Sequence, residues 1–267
     1  MFMRTKFMLG GLVMAGLLAV SARADDKITL KIHLTKGDEY KQVTKMEMAT
    51  KMQMGDKPMD MTMKAEMEAS MLVENVDAAG VQTVKTAYTA TRMKMGGPMA
   101  MEYDSSKPAD ANNPMGKMMG AMIDKSVTLK IGPDGQIKDV TSEGNNQALI
   151  AQMKNSLIEL TGWVPKHPVS IGDSWTSKMD MSAMTKMPMA MDMKYTLVSR
   201  KDGVAQIKMD GTMSGKMEGT VKGTVGIDEK TGWPMSHDMD MNVKMVGQGQ
   251  APGIEMKMEM SQTTTKK

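Results

Sequence analysis

The chain has 267 residues but no cysteine, and aromatic residues make up only 3% of it. Without cysteine it has no disulfide, no lipid-anchoring cysteine and no thiol nucleophile. Both phenylalanines, Phe2 and Phe7, stand close to the N-terminus. The rest of the chain therefore has no phenylalanine with which to fill a core, and other apolar side chains must do so.

The N-terminus has the pattern of a cleavable secretory signal. Arg4 and Lys6 precede an apolar run over residues 8–20, and Ala22-x-Ala24 provides the small residues of a cleavage site. The run is short for a membrane span and no second one follows it. We therefore predict a signal peptide over residues 1–24, a periplasmic or secreted protein, and no integral membrane span after cleavage.

An excess of charge is also lacking. The chain has 34 Lys and Arg against 31 Asp and Glu, and the predicted signal contains Arg4, Lys6 and Arg23 but no acid. The mature chain is therefore balanced, with 31 residues of each sign. A neutral balance lacks the basic surface that nucleic-acid binding or attachment to anionic membranes needs, and it excludes nucleic acid as a partner.

The chain is rich in methionine, which can fill a core in place of aromatic residues. Methionine occurs 39 times, and outside the predicted signal most methionines are spaced two apart and alternate with charged or polar residues. The first such series is Met46, Met48, Met52, Met54, Met59, Met61, Met63, Met67 and Met71. A period of two places side chains on one face of a β-strand, and the interruption at Gly55-Asp56 predicts a hairpin.

The same alternation recurs along the chain and predicts a mainly β fold with two short helices. The helices are expected over residues 113–123 and 146–160, where apolar residues follow helical spacing. One short motif, Gly-Asp-x-aromatic, occurs twice, as Gly37-Asp38-Glu39-Tyr40 and as Gly172-Asp173-Ser174-Trp175. A segment with Met-x-Met spacing follows each copy.

We therefore predict one continuous domain with two similar halves. The β-rich first half covers residues 25–142, a helix and Pro-containing connector covers residues 143–170, and the β-rich second half covers residues 171–267. Two helices are few to cover so many antiparallel strands. The expected solution is a strongly curved antiparallel sheet, either a half-barrel or a closed barrel.

Short motifs connect the chain to a known family. Pro168-Val169-x-Ile171-Gly172-Asp173-Ser174-Trp175, Gly37-Asp38-x-Tyr40 and Tyr103-Asp104-Ser105 resemble an exported bacterial family of unknown function, domain of unknown function 6263. The resemblance covers nearly all of the mature chain. It implies a secreted, β-rich protein without enzymatic character, and it brings no assigned activity or binding residues.

One segment combines the residues of a soft-metal site. Trp233, Met235, His237, Met239 and Met241 are spaced two apart and are predicted to share one face of a strand. Thioethers and imidazole suit Cu(I) or Ag(I), and an indole face attracts a cation. The alternative is a buried strand whose histidine belongs to the core. His33 and His167 are expected to be solvated.

Three functions remain open on these residues. The first is sequestration or transfer of Cu(I) or Ag(I), the only cofactors that the sequence suggests. The second is a carrier of a lipid or other apolar small molecule in a methionine-lined cavity. The third is a structural or oxidant-scavenging periplasmic protein, since methionine is reversibly oxidised to its sulfoxide. The sequence does not predict an enzyme, because the three histidines are scattered and the acids alternate outward on strands.

Overall fold

The computed structural model describes residues 27–54, 57–98, 100–107, 116, 123, 125–143, 162–180, 188–245 and 253–267. The predicted signal over residues 1–24 lies outside the described residues. So do the two predicted helices, except for Gly116 and Ile123. In the described ranges, no helix has the length and apolar character needed to cross a membrane.

The described chain forms twelve strands, and the prediction of a mainly β, antiparallel fold is confirmed. The strands are β1 Glu39–Met54, β2 Lys57–Val76, β3 Gln82–Gly96, β4 Met101–Asp104, β5 Ser126–Ile131, β6 Ile137–Ser142, β7 Ser174–Asp180, β8 Met189–Lys201, β9 Val204–Gly215, β10 Met217–Asp228, β11 Pro234–Met245 and β12 Ile254–Lys266. Every pairing between these strands is antiparallel. The predicted hairpin of methionine strands is the pair β1 and β2.

All twelve strands belong to one sheet. Its order is β6-β5-β3-β2-β1-β12-β11-β10-β9-β8-β7, with β4 paired to β3. The first six strands therefore lie on one side of the β1–β12 junction and the last six on the other. The similarity of the two halves and the connector over residues 143–170 remain predictions.

The prediction of a half-barrel or closed barrel is wrong. Closure would require β6 to pair with β7, but these strands lie at opposite ends of the described sheet, which is open and not strongly curled. The end strands β5, β6 and β7 have only six or seven residues, whereas β1 has 16 and β2 has 20. Short end strands offer few backbone groups for closure.

A segment that we call the strap, residues 27–36, covers one end of the apolar face instead. The amide of Ile32 donates to the carbonyl of Pro133 at 3.1 Å, and the amide of His33 donates to the carbonyl of Thr231 at 2.7 Å. The strap therefore joins the β5–β6 turn to the β10–β11 turn. The alternation of Ile28, Leu30, Ile32 and Leu34 with polar residues predicts a strand here. Within the strap, only Ile28 forms a β-bridge, with Val169.

The apolar face has two parts of different composition. At the strap end it is a conventional core, whose nearly inaccessible members are Leu30, Ile32, Leu34, Tyr40, Val73, Val84, Leu129, Ile131, Val169, Leu197, Ile207, Val225 and Ile227. Farther along the strands, methionine replaces the branched aliphatic residues. Burial of the first part provides the hydrophobic stabilisation of the domain.

The ion pair between Arg200 and Glu229, beside the strap end, should make the free energy of unfolding depend on pH. Arg200 donates from Nε to Oε1 of Glu229 at 2.9 Å and from Nη2 to Oε2 at 2.8 Å, and both side chains are about one-fifth exposed. The hydrogen bonds from Arg200 hold the pKa of Glu229 below its usual value of 4.5, against the opposing effect of burial. The stability that this pair adds is therefore present above pH 4.5 and is lost as the pH falls through the lowered pKa.

We expect Glu229→Gln to lower the free energy of unfolding by about 1 to 2 kcal/mol at pH 7. The difference in unfolding free energy from the wild type should narrow as the pH falls below 4.5, as measured by denaturant unfolding at a series of pH values. Glu255→Gln is the control, since Glu255 pairs with Lys244 on an exposed surface and should change stability less. If the difference in unfolding free energy between Glu229→Gln and the wild type does not change on acidification, the ionised Glu229–Arg200 pair is not the source of the stability.

Candidate functional site

The half-buried methionines of five adjacent strands form a continuous surface, which we call the methionine face. It comprises Met46, Met48, Met52, Met59, Met61, Met63, Met67, Met93, Met95, Met239, Met241, Met245, Met256, Met258 and Met260. These residues come from β3, β2, β1, β12 and β11, which are consecutive in the sheet. The sequence predicts that methionines within one hairpin share a face, and the structure extends that face across both sides of the β1–β12 junction.

The strand registers align the methionines in rows across the sheet. Met95 pairs with Met63, Met63 with Met48, Met48 with Met258, and Met258 with Met241. Residues directly opposite in an antiparallel pair have Cβ atoms about 4.5 to 5.5 Å apart. Five thioethers therefore lie side by side, and the row forms an apolar band that crosses five strands.

The opposite face of the same strands is charged. Glu47 pairs with Lys64 at 2.8 Å, Glu255 pairs with Lys244 at 2.8 Å, and Glu66 pairs with Arg92 at 3.2 Å. Exposed pairs of this kind add little stability but keep the face soluble and free of one dominant sign. Shallow depressions of about 620 and 280 Å³ on this face are lined by lysines and carboxylates together. The sheet is thus apolar on one side and hydrated on the other.

The methionines of β8 and β9 differ from those of the methionine face because they are buried. Met189, Met191, Met193, Met209 and Met213 are each less than 10% exposed. Two of them lie over glycines of the neighbouring strand, where a Cβ at Gly211 would meet Sδ of Met193 and a Cβ at Gly223 would lie 3.0 Å from Cε of Met209. These methionines therefore fill gaps in a core.

The predicted metal residues are only partly brought together. His237, Met239 and Met241 lie on the apolar side of β11, opposite Gln262, Met260 and Met258 of β12. Met235 lies on the same strand and packs against the core. Trp233 precedes β11, is 9% exposed, and packs against Tyr40 with ring centroids 6.3 Å apart. The indole is therefore part of the core beneath the strap.

His237 lies at the boundary between the two parts of the apolar face. Its neighbour on β10 is Val225, a core residue, and the next position toward the methionine end is Met239. The Nε2 atom is buried and has no hydrogen-bond partner among the described residues. Burial lowers the pKa of His237, with Asp238 opposing the shift, so the neutral imidazole is favoured at neutral pH.

Met260 is a neighbour of His237 that the sequence did not single out. It lies directly opposite Met239 on β12, which places it diagonally from His237, about 7 to 8 Å away. Met241 is four residues from His237 along an extended strand, about 13 Å away. The alternation of β12 was visible in the sequence, but its register against β11 was not.

The part of the chain that the structure describes offers no comparable set of ligands for hard metal ions such as Mg²⁺ and Ca²⁺. Among the described residues, no group of three or more His, Asp or Glu side chains is placed to hold a metal ion. The acids next to His237 and Met239 along β11, Asp238 and Asp240, alternate to the charged face and are exposed. Any metal chemistry on the apolar side of β11 would therefore depend on thioether and imidazole ligands.

Solved structures with a similar fold include one from a study of lipid–protein interactions in lipovitellin. It has 8% sequence identity and a TM-score of 0.56, and the match covers 86% of this chain and 25% of that chain. The chain thus spans about a quarter of the lipovitellin chain that it matches. An outer membrane channel from Pseudomonas putida F1 matches with 7% identity, a TM-score of 0.29, and coverage of 88% of this chain and 97% of that chain. The first comparison shows a shared sheet fold, and the second is too weak to support an argument.

No curated protein matches the sequence. Two stretches, residues 79–157 and 145–234, match the profile of a family of unknown function, and together they cover more than half of the chain. The family expected from the short motifs is thereby confirmed. The chain belongs to the family of unknown function DUF6263.

Proposed function

We propose that this protein binds and carries a lipid or another elongated apolar molecule on its methionine face. The observation that carries the proposal is the continuous surface of half-buried methionines across five adjacent strands. All twelve described strands belong to one sheet, so no second sheet from these strands covers that surface. Water contact with so much apolar surface is costly, and a bound apolar molecule would remove it.

The side-chain chemistry supports an apolar ligand of variable shape. Methionine is unbranched and flexible, and its thioether is polarizable, so a surface of methionines adapts to ligands of different shapes. The band from Met95 to Met241 crosses five strands, about 19 Å from the first to the last at the usual strand spacing. That length suits an acyl chain or a comparable apolar molecule lying across the sheet.

The two ends of the apolar face support the same proposal. The strap closes one end with a packed aliphatic core, which stabilises the sheet without the help of a ligand. The other end keeps its methionines half-buried. Lipovitellin, whose structure was studied for its lipid–protein interactions, has a sheet of similar fold. Together with the predicted signal over residues 1–24, the proposal places this carrier in the periplasm or outside the cell.

Two matched triple variants test the proposal. In Met48→Gln/Met63→Gln/Met258→Gln, three neighbours of one row become polar with little change in length. In Met48→Leu/Met63→Leu/Met258→Leu, the row stays apolar and loses only its sulfur. We expect affinity for the fluorescent fatty acid cis-parinaric acid to fall at least tenfold in the glutamine variant, about 1.4 kcal/mol. The leucine variant should stay within threefold of the wild type.

Native mass spectrometry of the purified wild type provides an independent measurement, since a bound apolar molecule should survive gentle ionisation. Unfolding curves should show that both triple variants fold, because the changed side chains are half-buried rather than core. Equal cis-parinaric acid binding by the wild type and the glutamine variant would refute the proposal. A loss in the leucine variant as large as in the glutamine variant would show that sulfur, and not apolar character, is what the row supplies.

A further inference from the structure

We propose that His237 forms a site for a soft monovalent metal ion, Cu(I) or its analogue Ag(I), together with Met239 and Met260 of the methionine face. The site lies at the boundary between the aliphatic core and the methionine face, and it does not depend on the binding of an apolar molecule. It combines one imidazole nitrogen with two thioethers from adjacent strands.

The first observation is the environment of the Nε2 atom of His237. This atom is buried and has no hydrogen-bond partner among the described residues. A buried polar atom without a partner destabilises the fold, so a leucine in this position would pack into the core at a lower cost. A metal ion bound to the lone pair of Nε2 accounts for a histidine at this position.

The strand register that brings Met239 and Met260 next to His237 is the second observation. Met239 lies two residues along β11 and on the same face, and Met260 lies directly opposite Met239 on β12. Their Cα atoms are both about 7 to 8 Å from that of His237. These distances are within the joint reach of an imidazole and a flexible methionine side chain. On the other flank, Met239 pairs with Gly223 of β10, and the terminal methyl group of Met209 lies over that glycine.

The ligand types select the metal. Neutral imidazole and thioethers favour soft ions such as Cu(I), whereas Mg²⁺ and Ca²⁺ need oxygen ligands. Asp238 and Asp240 point to the charged face. The apolar side of β11 therefore provides no carboxylate next to His237, and the site suits an ion with a single positive charge.

Competition against a Cu(I) chelator under anaerobic, reducing conditions tests the site. We expect His237→Leu to weaken Cu(I) binding at least tenfold, and Met239→Leu and Met260→Leu to weaken it at least threefold each. Met63→Leu and Met95→Leu are matched controls from the same face that lack a neighbouring histidine, and they should bind Cu(I) within twofold of the wild type. Ag(I) should reproduce the order of the variants.

Two further measurements separate metal binding from folding and from the proposed carrier function. The free energy of unfolding of His237→Leu should equal or exceed that of the wild type, since the change removes an unpartnered buried nitrogen. Its affinity for cis-parinaric acid should stay within twofold of the wild type. Addition of Ag(I) should shift the Nε2 resonance of His237 in the nitrogen-15 spectrum of the wild type.

The possible results fall into two groups. A tenfold loss in His237→Leu with intact folding, together with the shifted Nε2 resonance, would support the site. Cu(I) binding by His237→Leu within twofold of the wild type would overturn it. Equal losses in Met63→Leu and Met239→Leu would also overturn it, because they would show that thioethers bind the metal anywhere on the face.

Discussion

Replacing Gly232 with alanine is expected to lower the free energy of unfolding by about 2 to 5 kcal/mol. Gly232 has a φ of 63°, and a Cβ there would collide with the carbonyl oxygen of Lys31 and lie 3.0 Å from the amide nitrogen of Ile32. The left-handed conformation costs an alanine about 1 to 2 kcal/mol. The collision adds a further cost of about 1 to 3 kcal/mol, since both atoms are backbone and can move only if the strap moves.

Gly203→Ala is the matched control. Gly203 has a φ of 77°, but nothing lies within 4 Å of the position that its Cβ would take. It should show only the conformational cost of about 1 to 2 kcal/mol. Denaturant unfolding of the two variants separates backbone strain from displacement of the strap. Equal losses in the two variants would mean that the strap does not pack against Gly232.

Replacing Gln82 with methionine is the second change expected to have a large effect, about 2 to 4 kcal/mol. Gln82 is 1% exposed, its Oε1 accepts from the amide of Leu34 at 3.1 Å, and its Nε2 donates to the carbonyl of Ile32 at 2.7 Å. Methionine has nearly the same length but would leave two backbone groups of the strap unpaired. Each such buried group costs about 1 to 3 kcal/mol.

Gln42→Met is the control for this prediction, since Gln42 is half-buried on β1. It should change stability by less than about 1 kcal/mol. Hydrogen exchange measures the loss of the hydrogen bond directly. The amide of Leu34 should exchange much faster in Gln82→Met than in the wild type. Unchanged protection of Leu34 would show that Gln82 does not anchor the strap.

The sequence was informative where the structure depends on local pattern. Alternation of Met46 and Met48 with charged residues predicted strands and their two faces, because a period of two is a property of each strand alone. The strap shows the limit of that reasoning. Its alternating Leu30, Ile32 and Leu34 have the pattern of a strand and are buried, yet their backbone groups bond to turns and to Gln82.

The pairing between strands that are distant in the sequence could not be predicted from the local sequence pattern. Whether the sheet closes depends on whether β6 pairs with β7, and the alternation of residues within each strand does not reveal its partner. The candidate metal site shows the same limit. His237 and Met239 were visible as neighbours in the sequence, but Met260 joins them only through the β11–β12 register. Trp233 shared their spacing, but it precedes β11 and packs against Tyr40 in the core.

The β1–β12 junction also determines when the sheet can be completed during synthesis. Each half is a series of strands that pair mostly with their sequence neighbours, but the halves join only when β12 pairs with β1, from Tyr40 opposite Lys266 to Met52 opposite Ile254. Lys266 then reaches Asp38 at 2.8 Å. β12 is synthesised after all the other described strands. The edge of β1 that pairs with β12 therefore stays without its partner until β12 has been made. A chaperone that holds the nascent chain should therefore matter more for this protein than for a sheet whose neighbouring strands all follow one another.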